Sequence, residues 1–232
     1  MTVTRRRWRL RSRRLRQVWA RPQVRGDIID KSRGFDTSDR TRHPYPGPKW
    51  ADLLFAYLDL FGVCDLYEAT TNLLSPSLRE LTMRELHVLR PIFGDSVPYH
   101  LIRIDERAHV GPRQKNFCYV SFHTINSWGP MADATLVHEV VHVWQYLHRG
   151  ACYIPRALYA QRTPVGYNYG GLMGLSQAAS LEDFNYEQQA DVIEDAWRLA
   201  NGWPGQWVPG CGAECLGAYG PFLTEILGEA KV

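Results

Sequence analysis

A chain of 232 residues with 45% hydrophobic side chains, 8 Trp and 12 Tyr has the composition of a folded protein, which excludes disorder throughout, and its length suits one sizeable core. The formal charge of +3 is unevenly spread: residues 1–49 hold 13 Arg and 2 Lys against 4 Asp, or +11, and the rest of the chain is −8. The larger part is acidic, which argues against a nucleic-acid binder.

Residues 1–49 carry few aliphatic side chains and end in RHPYPGPKW, whose prolines favour extended backbone. They read as a basic, flexible arm and linker, leaving 50–232 as a single domain. Trp8, Leu15, Val18 and Trp19 would share one face if the arm were a basic helix, a form suited to an acidic membrane surface or a nucleic acid, but a solvated tail is the simpler expectation. No apolar core follows the Arg-rich start as a secretory signal requires, and the most apolar stretch, 50–67, is interrupted by Asp52, Asp59 and Asp65. The expectation is a protein without a transmembrane segment, cytoplasmic or exported without a standard signal peptide.

Helical spacing of Leu53, Leu54, Ala56, Tyr57, Leu60 and Phe61 predicts a helix closed by Gly62. Thr82 followed by Glu85 is a capping-box pattern for a second, ended near Pro91 and Gly94. HLIRI (100–104) and FCYVSF (117–122) read as two short strands, forming one antiparallel pair. Long helices follow over 132–148 and 184–200, with a Gly- and Tyr-rich loop between them, and a last one over 222–227. The fold class is α+β and mostly helical, with a small antiparallel sheet. Five Cys are an odd number, and Cys211 and Cys215 receive no role.

Residues 138–142 read HEVVH. On a helix, positions i and i+4 share a face, so His138 and His142 can offer nitrogens to one zinc ion, while Glu139 projects beside the metal as general base toward a zinc-activated water. Catalytic zinc takes a third protein ligand. His148 stands at the metzincin count, but Gln145 replaces the Gly that lets the chain turn back, and on a continuous helix His148 points about 80° away from His138. Glu187 and Asp191, four apart on the later helix, fit better: Glu187 as the third ligand, as in gluzincins, and Asp191 as acceptor for the N–H of His138. Glu194 and Asp195 read as solvated charges.

The runs ELHVLRPIFGDSVPYHLIRID, YVSFHTINSW, TLVHEVVHVWQY and FNYEQQADVIEDAW, spanning about residues 78–200, resemble a bacterial group of zinc metallopeptidases related to proteins encoded near Vgr spikes and contractile injection systems. The resemblance implies a zincin-like fold, with an HExxH active-site helix and a third-ligand helix. Of the tyrosines near the latter (Tyr167, Tyr169, Tyr186), Tyr169 is taken as the oxyanion donor. The expected function is a gluzincin-type zinc metallopeptidase acting on a peptide or protein. The alternative is a non-catalytic zinc-binding component or cargo of a bacterial secretion or injection apparatus, docked through the Arg-rich arm.

Overall fold

The computed structural model describes residues 3–20, 48–108 and 117–228. Its centre is a crossing of two helices, α5 (Asp133–Arg149) and α8 (Tyr186–Ala200). Every residue from Leu136 to Tyr146 of α5 is buried, as its apolar circumference requires. Val137, Val140, Val141, Ala190, Val192 and Ile193 are fully inaccessible where the two helices and their neighbours meet. Asn185 starts α8 sharply: its side chain accepts from the amides of Glu187 and Gln188, and Gln188 Oε1 accepts from the Asn185 amide in return.

Around this pair lie α2 (Lys49–Leu60), α3 (Val63–Leu74), α4 (Met83–Phe93), α6 (Tyr153–Ala160), α7 (Gly171–Gln177) and α9 (Gly220–Leu227). The Thr82–Glu85 capping box of α4 is present in both directions. Helix α3 follows α2 after a turn at Gly62 (φ 74°), and α6 follows α5 after a turn at Gly150; sequence periodicity had picked out neither.

The sheet differs from the expected antiparallel pair. Four three-residue strands, β1 (Leu78–Glu80), β2 (Arg103–Asp105), β3 (Tyr119–Ser121) and β4 (Thr124–Asn126), stand in the order β1-β2-β4-β3. β2 runs parallel to β4, so the two segments expected to pair are separated by a strand between them. The sheet is therefore mixed. A two-residue hairpin, Phe122–His123, inserts β4 immediately after β3, with Phe122 at φ 63°. Burial against Tyr146 and an amide hydrogen bond to Tyr153 Oη hold Phe122 in that strained conformation.

The N-terminal segment also departs from the expectation of a solvated arm. α1 (Val3–Ala20) is helical and packs along α2, with Val18 buried beside Ala56 and Cys152. Arg11 Nε lies 3.2 Å and Arg14 Nη1 3.4 Å from the carboxylate of the buried Asp59, and Arg14 also donates to the Leu147 carbonyl. The remainder of the arm, residues 21–47, lies outside the described residues. No helix among the described residues is long and apolar enough to cross a membrane. Cys211 and Cys215 form a disulfide, a partnership that their four-residue spacing alone did not specify.

Replacing both Arg11 and Arg14 by Ala leaves the carboxyl of Asp59 buried and without a cation. The expected cost is about 3 kcal/mol, read from urea unfolding, because stripping a buried charge of its partners forfeits the compensation for its desolvation.

Candidate metal centre

α5 places His138 and His142 one turn apart, with ring centroids 5.1 Å from each other, and α8 crosses so that Glu187, in its first turn, faces both. Glu187 Oε2 is 3.3 Å from His138 Nε2 and 3.5 Å from His142 Nε2. The three donor atoms lie within 4.8 Å of one another, and all three residues are buried. His, His and Glu around one point is a donor set that zinc accepts.

The electrostatics are mutual. Burial opposes charge on His138, yet Asp191, Glu187 and Glu194 outweigh it and its pKa moves well upward; His142 shifts the same way under Glu187. Burial likewise opposes charge on Glu187, but His142 and His138 hold its carboxylate well below the usual range. A cluster that stabilises imidazolium so strongly offers a place for another cation.

Each imidazole is held from behind. His138 Nδ1 lies 2.9 Å from Asp191 Oδ1, the partner expected from sequence, and 3.2 Å from Glu194 Oε2, which was not expected. Trp207 Nε1 donates to the other oxygen of Asp191, and Arg198 pairs with Glu194 at 2.6 Å. Glu194 and Asp195 are thus not solvated charges: Asp195 is inaccessible and accepts from the amides of Gln206 and Trp207. The return of the 203–208 loop onto α8 covers Asp195, while His138 and Arg198 pair with Glu194, and no local pattern announces either.

His142 Nδ1 meets a neutral acceptor, Gln145 Oε1, at 2.8 Å. Gln145 is inaccessible, and its Nε2 donates to Tyr186 O at 2.8 Å and to Gln189 Oε1 at 3.0 Å. With both amide hydrogens committed to acceptors, Gln145 must present oxygen to His142, which keeps a proton on Nδ1 and makes Nε2 the nitrogen that faces Glu187. Sequence reasoning met Gln145 as a missing glycine and as the end of the HEVVHVWQ run, and gave it no role. Its spacing, three residues after a ligand histidine on one helical face, was the available signal.

Glu139 is buried, and its Oε2 has no hydrogen-bond partner among the described residues. Burial raises its pKa, with partial relief from His138 and His142. Nearby, burial and then Glu139 push the Cys118 thiol up to about 12, so it stays protonated at neutral pH and is no nucleophile. His148 turns away as geometry required, stacking on Trp144 at 4.3 Å with Nδ1 against the Trp144 carbonyl.

Tyr169 is not at the centre. Its hydroxyl is buried, donating to Asp195 Oδ2 at 2.7 Å and meeting Tyr219 Oη at 2.6 Å. Tyr167 takes its place, 37% exposed, with its ring 6.1 Å from that of His138. The loop carrying it is pinned to the start of α8, where Asn185 donates to Gly166 O and Gln188 to Asn168 O. Glycines here serve close packing: a Cβ on Gly174 would sit 1.9 Å from Tyr169 O.

No family model matches the chain. Over 131 residues, half of this chain, it is 25% identical to the type VI secretion system spike protein VgrG2b of Pseudomonas aeruginosa. The matched region spans 13% of that protein's length. The solved effector domain of Pseudomonas aeruginosa VgrG2b aligns with 61% of this chain and 87% of its own length, at 23% identity and a TM-score of 0.39. The sequence similarity links the chain to spike-associated proteins of type VI secretion.

Tyr169→Phe should lower stability by about 1–2 kcal/mol in thermal or urea unfolding, since it removes one of three donors to the buried Asp195 carboxylate and the Tyr169 partner of the buried Tyr219 hydroxyl, while leaving metal uptake unchanged.

Proposed function

We propose that the chain is a secretion-associated zinc hydrolase, most simply a gluzincin-type metallopeptidase with a zincin-like arrangement of α5 and α8. The observation that carries the reading is the convergence of His138, His142 and Glu187 with a buried, unpartnered Glu139 oxygen beside them. Those three residues would hold the zinc, which when bound supplies Lewis acidity to water and to the scissile carbonyl.

The chain's own groups do the rest. Glu139, whose burial raises its proton affinity, accepts a proton from the attacking water and returns it to the leaving amine. Tyr167 offers a hydroxyl from the rim toward the developing oxyanion. Asp191 and Glu194 keep the His138 proton on Nδ1, and Gln145 does the same for His142. Gln161 Nε2 donates to Glu187 Oε1 at 3.0 Å, leaving Oε2 as the oxygen facing the imidazoles.

A second reading has its own support. Similarity to a spike protein favours a component or cargo of a secretion apparatus, and such a protein can bind zinc without turnover. The role of Glu139 separates the two, because a purely structural metal site needs no buried carboxylate free of partners.

Purified protein should hold about one zinc per chain. Glu187→Ala should lose it and His148→Ala should keep it, measured by chelator competition. Glu139→Gln should retain zinc and fold while lowering hydrolysis of a peptide library at least about 10²-fold. Wild-type protein that binds zinc but cleaves no peptide or protein would give the field to the second reading. Tyr167→Phe should reduce kcat about a hundredfold at unchanged zinc content.

A further inference from the structure

Of the 21 large apolar side chains exposed among the described residues, 12 lie between Trp8 and Leu74, on α1–α3 and the turn after α2. On α2 and its C-terminal turn, Trp50, Leu54, Tyr57 and Phe61 form one stripe at spacings of four, three and four. On α3, Val63, Leu66, Leu73 and Leu74 form another, with Leu73 85% exposed. Scattered exposed apolar residues need no explanation, but two successive helices with outward-facing apolar stripes do.

The first helix adds charge. α1 runs antiparallel to α2: Lys49 Nζ donates to Trp19 O at 2.9 Å at one end, while Arg11 reaches Asp59 toward the other. Its inner face is Arg11, Arg14, Leu15 and Val18. Trp8 and Trp19, 60% and 63% exposed, stand eleven residues apart and so point within about 20° of each other. Arg9, Arg13 and Arg16, also exposed, form the adjoining stripe, and the ion pairs of α1 among the described residues belong to Arg11 and Arg14 instead.

The rows of α1 and α2 meet at one seam. Leu15 and Leu53 pack on the same Val18–Ala56–Cys152 cluster. Trp8 and Trp19 lie within about 40° of Leu15 on α1, and Tyr57 within about 40° of Leu53 on α2, so both aromatic rows flank the seam on its solvent side.

Three occupants compete for such a surface. A second copy would bring two Arg stripes together and meet like-charge repulsion. A nucleic acid would use the guanidinium groups and rings but leave the leucines of α2 and α3 against water. A bilayer surface bearing anionic lipid uses all of them, with Arg at phosphate, indole and phenol at headgroup depth, and Leu and Phe at the acyl boundary. We propose that the outer face of α1, α2 and α3 docks on a membrane surface rich in anionic phospholipid. The surface is built from residues other than those of the metal centre, so the proposal does not depend on the hydrolase reading.

The test mixes the full chain with vesicles of phosphatidylcholine alone or with phosphatidylglycerol, reading flotation and tryptophan emission. Binding should require phosphatidylglycerol, weaken with salt, and shift Trp emission to the blue. Arg9→Glu/Arg13→Glu/Arg16→Glu should weaken it on the order of a hundredfold or more, because each surface Arg contributes about fivefold. Leu66→Ser/Leu73→Ser should weaken it too while retaining salt sensitivity, with circular dichroism confirming the fold of both variants. The proposal is overturned by equal binding to both vesicle types, by no binding to either, or by variants that bind like wild type. It is also overturned if an oligonucleotide binds through the same arginines while vesicles do not, or if the protein elutes as a dimer that ignores vesicles.

Discussion

One buried carboxylate sets the terms for the centre of this protein. Glu187 is 1% exposed and sits at the crossing of two apolar helices, where a charge without compensation would cost several kcal/mol. It is tolerable because α5 presents two imidazoles to it and Gln161 satisfies its other oxygen. The α5–α8 crossing is thus constrained by chemistry as well as shape: sliding either helix by a residue would pull Glu187 away from the two imidazoles that compensate its charge. The capping box at Asn185 fixes where α8 starts, and so which residue of its first turn reaches α5.

Support for the two imidazoles is asymmetric. Two carboxylates stand behind His138, one tied to Trp207 and the other to Arg198, whereas a neutral amide stands behind His142 and is locked through Gln189 to the Phe184 carbonyl. Both arrangements select the same tautomer, but the anionic one also raises the basicity of its histidine. The tethers come from the loop after α8 and from the start of α8. The centre is therefore stiffened by segments distant in sequence.

Much of this was legible beforehand, and its limits are instructive. The HEVVH spacing, the helix bearing Glu187, the Asp191–His138 pair and the capping box at Thr82 follow from local periodicity and local hydrogen bonding, which a sequence carries directly. Tyr169 was misplaced because a loop between helices sets side-chain direction through close contacts, such as Gly174 against the Tyr169 carbonyl, that leave no periodic trace. Glu194 and Asp195 were misread because a charge is buried or solvated according to what folds back upon it. The strand pairing failed for a related reason: a two-residue hairpin with a positive φ at Phe122 lacks the Gly or Asn signal that normally marks such turns. Helix α1 was read as a tail because its Arg content masks a narrow inner face whose arginines are themselves the anchors.

The central claim is that α5 and α8 together hold one divalent cation between His138, His142 and Glu187. A competing cluster lies close by, since His138, Asp191 and Glu194 also bring three donor atoms within 4.8 Å. Anomalous diffraction at the zinc edge, from crystals of the full chain grown with zinc, distinguishes them directly. The account predicts one peak about 2.0–2.2 Å from His138 Nε2, His142 Nε2 and Glu187 Oε2. A peak on the Nδ1 side of His138 between Asp191 and Glu194, or no peak at the helix crossing, would contradict it.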